Sequence, residues 1–316
     1  MRLPNLVIAG VVKAGTTSAF SYLSLHPDIC CSTVKETCYF SYYRYGQWDS
    51  RYKNSNDPFE QYQQYFSRCE NQKYVMEATP GYFEGGIKVA QTIKKTLGDN
   101  VKIIIILREP ISRLLSFFKY KKSMLELDKK LTLAEYLRQC EALSPSARVK
   151  KENDIYWGIE GGFYGNYLED WFNVFGESVY ITFFDELKTD PKLFLSKICT
   201  WLEIDNTVLE SKELAIENKS LNYKNKYLQQ LALFINIRAE KFWRANAGIK
   251  NRLRSIYYNL NTMPYQEKIS EQTFNYLQSI YQPHNQKLAA QLLNRNYTNL
   301  PQWLLDSSSL ASSFGE

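Results

Sequence analysis

The chain has 316 residues, of which 44% are hydrophobic and 23% are charged. This composition is ordinary for a soluble globular protein and excludes a wholly disordered chain, a collagen and a coiled coil. Lysine and arginine outnumber aspartate and glutamate by 39 to 33, and the formal charge of +6 fits an anionic ligand, although solubility alone explains a charge of this size.

Cysteine and histidine are sparse in the sequence. The six cysteines include no Cys-x-x-Cys pair and there are only two histidines, so we expect no zinc site. The low cysteine density predicts reduced, buried thiols in a cytoplasmic protein. No apolar run approaches the ~20 residues of a membrane span. We therefore expect a protein that has no membrane-spanning segment.

Three apolar runs rich in β-branched residues predict strands that are buried on both faces of a parallel sheet. Helical patterns alternate with them, which predicts an α/β fold with a P-loop-like parallel sheet flanked by helices. The predicted strands are 6–11, 101–107 and 179–184, and the predicted helices are 18–25, 111–124, 165–175 and 191–202.

The segments 38–65 and 144–165 are rich in tyrosine, tryptophan and polar residues, and they predict long surface loops that shape a ligand site. We expect one domain over 1–306, with a helical C-terminal part at about 221–300 and a disordered serine-rich tail at 307–316. A basic helical pattern at 227–259 indicates a solvated face; a membrane-surface helix is the alternative and would require a strong amphipathic pattern.

A glycine-containing turn follows the first predicted strand and opens the first predicted helix. Backbone N–H groups of such a turn point at one place, and Lys13, Thr16 and Thr17 add a charge and two hydroxyl groups, so we predict an anion site. The turn is not a Walker A motif, because Thr16 stands after Gly15, where that motif has its lysine.

The second predicted strand ends in Arg108, a cation, where a nucleotide-dependent kinase of this class places a Mg²⁺-binding acid. The sequence thus predicts two anion sites and no metal site. A donor with two separated anionic groups fits this arrangement, and a P-loop-type kinase is the alternative.

The chain resembles the PAPS-dependent sulfotransferases, most closely the glycan-modifying (heparan-sulfate-type) and bacterial branch. The matching motifs are K-x-G-T-[TS] at 13–17, S-L-H-P-D at 24–28, E-x-T-P-x-Y-F at 77–83, L-R-[DE]-P-x-x-R-x-x-S at 107–116, G-x-Y-x-x-x-L-x-x-W at 162–171 and P-x-N-x-x-L at 283–288. One departure is Ala78, where the glycan branch often has a lysine.

The resemblance implies the sulfotransferase fold and a role for individual residues. PAPS is the implied co-substrate, PAP the product, and no metal is required. Glu36 is the implied catalytic base and Lys13 the residue that neutralises the leaving group, while Arg113 is expected to be structural. The implied PAPS-binding residues are Lys13, Ala14, Gly15, Thr16, Thr17, Ser18, Arg108, Ser116, Lys219 and Ser220.

The implied reaction is in-line transfer of a sulfuryl group from PAPS to a hydroxyl or amine of a small polar molecule or a saccharide, with no nucleic-acid partner. Two alternatives stay open: a kinase, and a non-catalytic protein that binds PAP or another nucleotide. For Glu36, the alternative is a surface glutamate that forms an ion pair with Lys35.

Overall fold

The computed structural model describes residues 2–209, 212, 214, 222–239, 246–263 and 269–308. A five-stranded parallel sheet lies at the centre of the fold. In chain order its strands are β1 (Leu6–Gly10), β2 (Ile29–Cys31), β3 (Tyr74–Ala78), β4 (Lys102–Leu107) and β5 (Val179–Phe183). The order across the sheet is β2-β3-β1-β4-β5, and the predicted α/β fold is confirmed.

Helices cover the sheet. They are α1 (Thr16–Leu23), α2 (Tyr42–Tyr45), α3 (Pro58–Gln64), α4 (Gly86–Leu97), α5 (Pro110–Ser123), α6 (Leu133–Ala142), α7 (Pro145–Arg148), α8 (Leu168–Phe175), α9 (Phe184–Thr189), α10 (Pro191–Leu202), α11 (Lys226–Arg238), α12 (Ala247–Asn261), α13 (Glu271–Leu293) and α14 (Gln302–Ser308). The strands β6 (Asn222–Tyr223) and β7 (Thr262–Met263) form a small antiparallel pair.

The start of α5 fixes the chain directly after β4. The Glu109 carboxylate accepts hydrogen bonds from the backbone N–H groups of Ile111 and Ser112, and Pro110 occupies the first helical position. A carboxylate cap and a proline there are both favourable, because these N–H groups have no partner within the helix. Arg108 is therefore held between a buried strand and a capped helix.

The two segments that we predicted as loops contain short helices and contact each other. The Tyr45 hydroxyl donates to Asp154 Oδ1 at 2.6 Å, and Lys151 Nζ lies 3.6 Å from Asp49 Oδ2. They form a common wall at the surface, although α2, α3 and α7 replace part of the expected irregular structure.

The prediction that all cysteines are reduced is wrong for Cys30 and Cys69, which form a disulfide. Cys31, Cys38, Cys140 and Cys199 are free. The partners are 39 positions apart in the chain. They meet because the segment after Cys31 returns to the sheet edge, where Thr33 N donates to Tyr65 O at 2.8 Å. Cysteine spacing alone does not reveal this return.

The C-terminal helices α13 and α14 pack on the main core through Leu288, Leu292 and Leu304. Helix α14 extends to Ser308, two residues into the predicted tail, and residues 309–316 lie outside the described part of the chain. Within the described ranges, no helix is both long and apolar enough to cross a membrane.

Candidate functional site

The turn between β1 and α1 has a partly left-handed backbone. Lys13 and Gly15 both have positive φ, at 71° and 81°. A Cβ at Gly15 would lie 2.7 Å from Leu187 Cδ2 and 2.8 Å from the Phe184 ring, so both the space and the left-handed backbone require glycine. No side chain caps α1. The N–H groups of its first turn, which includes Thr16, Thr17 and Ser18, are therefore available to a ligand.

The Lys13 ammonium group lies above the Tyr120 ring, 4.1 Å from its centroid. Desolvation by the surrounding protein, and then the nearby charge of Arg108, lower the pKa of Lys13 to about 8. Desolvation and the charge of Arg108 destabilise the protonated form of Lys13, and an anion that binds beside it would stabilise that form. The lysine of the predicted anion site thus carries a partly desolvated charge in the turn before α1.

Arg108 joins the end of β4 to the same loop. Its guanidinium group donates to Lys13 O at 2.9 Å and stacks 4.4 Å from the Phe184 ring centroid. Its Nε atom is buried, and no protein acceptor reaches it among the described residues. Desolvation lowers the pKa of Arg108. Arg108 is therefore a partly unsatisfied donor next to the loop.

The other predicted PAPS-binding residues lie in three places. Ser116 lies on α5 four positions before Tyr120, so helical spacing places it on the face that contacts the loop. Lys219 and Ser220 lie outside the described residues. Arg113 is buried and donates to the carbonyl of Gly158, as expected for a structural residue.

Glu36 lies close enough to interact electrostatically with Lys13, although 23 positions separate them in the sequence. Its side chain is 52% exposed, and its carboxylate forms a 2.7 Å ion pair with Lys35, the pair that the alternative interpretation expected. Desolvation acts to raise the pKa of Glu36, but Lys35, Arg51 and Lys13 together hold it below its usual value. The carboxylate is ionised at neutral pH and can accept a proton.

The end of β3 holds the backbone around Glu36. Glu36 N donates to Ala78 O at 2.8 Å, and the Thr37 hydroxyl donates to the Glu77 carboxylate. Glu36 itself has a φ of 63°, which is uncommon for a residue with a side chain. This strained position is maintained by the contacts with β3.

Glu77 is fully buried, and the sequence motif gave it no role. The hydroxyl group of Tyr62 donates to it at 3.0 Å, and the hydroxyls of Thr37 and Tyr82 also bond to it. Desolvation, which outweighs these hydrogen bonds, raises the pKa of Glu77 to about 7. In the sequence, the one sign of this buried carboxylate is that Glu77 interrupts an otherwise apolar run of strand residues.

A surface cavity of about 300 Å³ opens between the segments 38–65 and 144–165. A chain of charged contacts links this cavity to Glu36: Asp49 pairs with Lys151 of the cavity wall, and Arg51 interacts with both Asp49 and Glu36. The lining residues are Gln47, Trp48, Ser50, Lys53, Lys151 and Glu152. Aromatic and charged groups together suit a polar molecule with an apolar side.

Over the part of the chain that the structure describes, no three acidic, histidine or cysteine side chains are grouped so as to hold a metal ion.

Comparison with known proteins gives a consistent result. The family model described as "Sulfotransferase domain" matches residues 3–252. The membrane-associated sulfotransferase kil1 of Dictyostelium discoideum is 38% identical over 129 residues, which cover 40% of this chain and 25% of that protein. Heparan sulfate glucosamine 3-O-sulfotransferase 3B1 of Mus musculus is 25% identical over 66% of this chain and 48% of its own length.

Among solved structures, a sulfotransferase from Alicyclobacillus acidocaldarius has a TM-score of 0.58 at 23% identity. The match covers 78% of this chain and 96% of that one, and it shows a common fold. The match spans about a quarter of the length of some of these curated relatives, kil1 among them.

Proposed function

The chain belongs to the sulfotransferase family, and from this premise we propose that it transfers a sulfuryl group from PAPS to a hydroxyl or amine of a small polar molecule or a saccharide. The observation that carries the proposal is the meeting of Lys13, Arg108 and Glu36 at the carboxyl edge of one parallel sheet. Two cations there suit a doubly anionic donor, and the carboxylate suits a neutral acceptor that loses a proton. A saccharide is included because one relative is a heparan sulfate glucosamine sulfotransferase.

In this mechanism the acceptor oxygen or nitrogen attacks the sulfur atom of PAPS in line with the bond to the bridging oxygen. That bond breaks, and its electron pair leaves with PAP. Lys13 neutralises the charge that develops on the departing phosphate, and the N–H groups of the loop hold the phosphate in place. Glu36 accepts the proton of the acceptor.

A kinase is the alternative enzyme. Arg108 argues against it, because a guanidinium group at the end of β4 repels the Mg²⁺ ion that a kinase needs there. Thermal shift separates the two: PAP at 100 times its Kd should stabilise the protein by about 2.7 kcal/mol. A larger shift with ATP and Mg²⁺ than with PAP would favour the kinase.

The decisive test uses Glu36→Gln, which keeps the size of the side chain and removes its basicity. An acceptor is first identified by screening classes of hydroxyl and amine compounds with labelled PAPS. We expect PAP affinity to be kept while kcat falls by about 10²–10⁴-fold. Glu60→Gln, on the exposed surface of α3, is the matched control and should leave both unchanged.

Each outcome has a definite meaning. Turnover of Glu36→Gln within about threefold of the parent would remove Glu36 from the proton-transfer step. Loss of PAP binding in that variant would indicate a structural role instead. A parent protein that transfers no sulfuryl group to any acceptor but still binds PAP would support the non-catalytic alternative.

A further inference from the structure

The positive charge of the protein is concentrated in one segment. Residues 222–263 contain eight lysines and arginines and one acid, Glu240, so their net charge is +7 against +6 for the whole chain. The rest of the molecule is therefore close to neutral, at −1. The basic residues are Lys224, Lys226, Arg238, Lys241, Arg244, Lys250, Arg252 and Arg254.

Helix α11, within this segment, exposes an apolar stripe. The exposed positions follow the helical repeat i, i+1, i+4, i+7 and i+8, which lie on one face. The opposite face is attached to the protein: Gln229 Nε2 donates to Ser123 O at 2.6 Å, at the end of α5. The stripe consists of Tyr227, Leu228, Leu231, Phe234 and Ile235, which are 44–80% exposed.

Helix α12 exposes a second stripe. Its large apolar residues recur at i, i+4, i+7 and i+11, again on a single face. They are Ile249, Leu253, Ile256 and Leu260, and each is 49–67% exposed. Exposed Arg252 lies next to this stripe in the helix. Single apolar residues on a surface are common and need no explanation. Two regular apolar stripes on neighbouring helices are unusual and indicate an interaction surface.

The two helices are fastened to each other, and we call α11 and α12 together the helical pair. Asn225 N donates to Asn261 Oδ1 at 2.7 Å, and Asn261 Nδ2 donates back to Asn225 O at 3.1 Å. The hydroxyl of Tyr257 donates to Gln229, and β6 pairs with β7 beside these contacts. The stripes therefore belong to one structural unit.

We propose that the helical pair docks on an anionic membrane surface, with its apolar stripes at the boundary between headgroups and acyl chains. Basic residues around an apolar helix face are the combination that binds anionic lipid, since phosphate headgroups attract the charges while the apolar groups enter the interface. A second copy of the chain suits the surface less, because it would bring the same five basic residues of the helical pair against it. The proposal does not depend on the reaction that the protein catalyses.

The test is sedimentation of the purified chain with vesicles of phosphatidylcholine alone and of phosphatidylcholine mixed with phosphatidylglycerol. We expect binding to the mixed vesicles, little binding to the neutral ones, and weakening by salt. Leu231→Gln and Phe234→Gln should each weaken binding about tenfold. Leu193→Gln on α10 is the matched control, because Leu193 is 53% exposed and lies outside the stripes.

The charge is tested separately. Arg238→Glu should weaken binding to the mixed vesicles at least about fivefold, whereas Lys88→Glu, an exposed lysine on α4, should not. All these side chains are exposed, and unchanged melting temperatures will confirm that the variants fold. Three results would each overturn the proposal: equal binding to both kinds of vesicle, no binding to either, or a dimer in light scattering that Leu231→Gln dissociates while vesicle binding is absent.

Discussion

At the scale of single residues, the protein environment of Lys13 destabilises the charged form of its side chain. Its ammonium group is packed on the Tyr120 ring and lies near the guanidinium of Arg108, and its pKa is about 8 instead of the usual 10.5. Near pH 8.5 a large fraction of the side chain is neutral. An anionic ligand beside it would raise the pKa and draw a proton from solution.

We therefore predict that PAP binding near pH 8.5 is coupled to proton uptake. Calorimetry in buffers of different ionisation enthalpy measures this uptake directly. Lys13→Arg should bind PAP with little or no uptake, because arginine stays charged at this pH. Equal uptake by the parent and Lys13→Arg would show that another group takes the proton.

Glu77 predicts a pH dependence of stability. Its pKa is raised from 4.5 to about 7 in the folded protein, so the folded state binds the proton more tightly than the unfolded state. The stabilisation from the protonated carboxyl is complete below pH 4.5 and is lost as the pH rises through about 7. The shift corresponds to a loss on the order of 3 kcal/mol.

Glu77→Gln imitates the protonated side chain and should remove this slope. Urea unfolding at a series of pH values between 5 and 8 measures how the free energy of unfolding of the parent and of the variant changes with pH. The two free energies should diverge as the pH rises. Glu70→Gln, at an exposed position before β3, is the control. Parallel curves for the parent and Glu77→Gln would contradict the raised pKa.

At the scale of elements, the site is built by the ends of strands. β1 delivers Lys13 and β4 delivers Arg108, and both residues follow long apolar runs that sequence patterns identify well. β2 and β3 were not predicted, because β2 has three residues and β3 contains Glu77 inside an apolar run.

The contacts that hold Glu36 were equally out of reach from the sequence. The Thr37–Glu77 hydrogen bond joins residues 40 positions apart, and it exists because β3 lies beside β2 in the sheet. The family resemblance pointed to Glu36 as the expected base, whereas only the fold shows which buried groups position it. Local patterns therefore predicted the strands that lead to Lys13 and Arg108 better than the contacts around Glu36.

The end of β4 supports a prediction about nucleotide recognition. Arg108→Ala should weaken binding of PAP about 10–100-fold, since a hydrogen bond to a charged group contributes about 1.5–3 kcal/mol. Binding of AMP, which has no 3′-phosphate, should weaken less, by an amount that reflects the lost contact with Lys13 O. Titration of both nucleotides against parent and variant measures the difference, and equal losses would show that Arg108 does not bind the 3′-phosphate.

At the scale of the whole molecule, one covalent bond closes the chain around the candidate base. The Cys30–Cys69 disulfide links β2 to the residues after α3, so the loop that it closes contains Glu36, Asp49 and Arg51. A bond across 39 positions restricts the unfolded chain, which is the main way in which a disulfide stabilises a fold.

We predict that a reducing agent lowers the free energy of unfolding by about 4 kcal/mol, the chain-entropy value for a loop of this length. Urea unfolding with and without reductant measures the change. The Cys30→Ser, Cys69→Ser double variant should resemble the reduced parent and should not respond to reductant, which separates this bond from any effect on the four free cysteines. Because the loop carries Glu36, turnover should decline in the same variant at urea concentrations where the disulfide-bonded parent is still fully folded. A parent whose urea midpoint is the same with and without reductant would show that the bond does not form in solution.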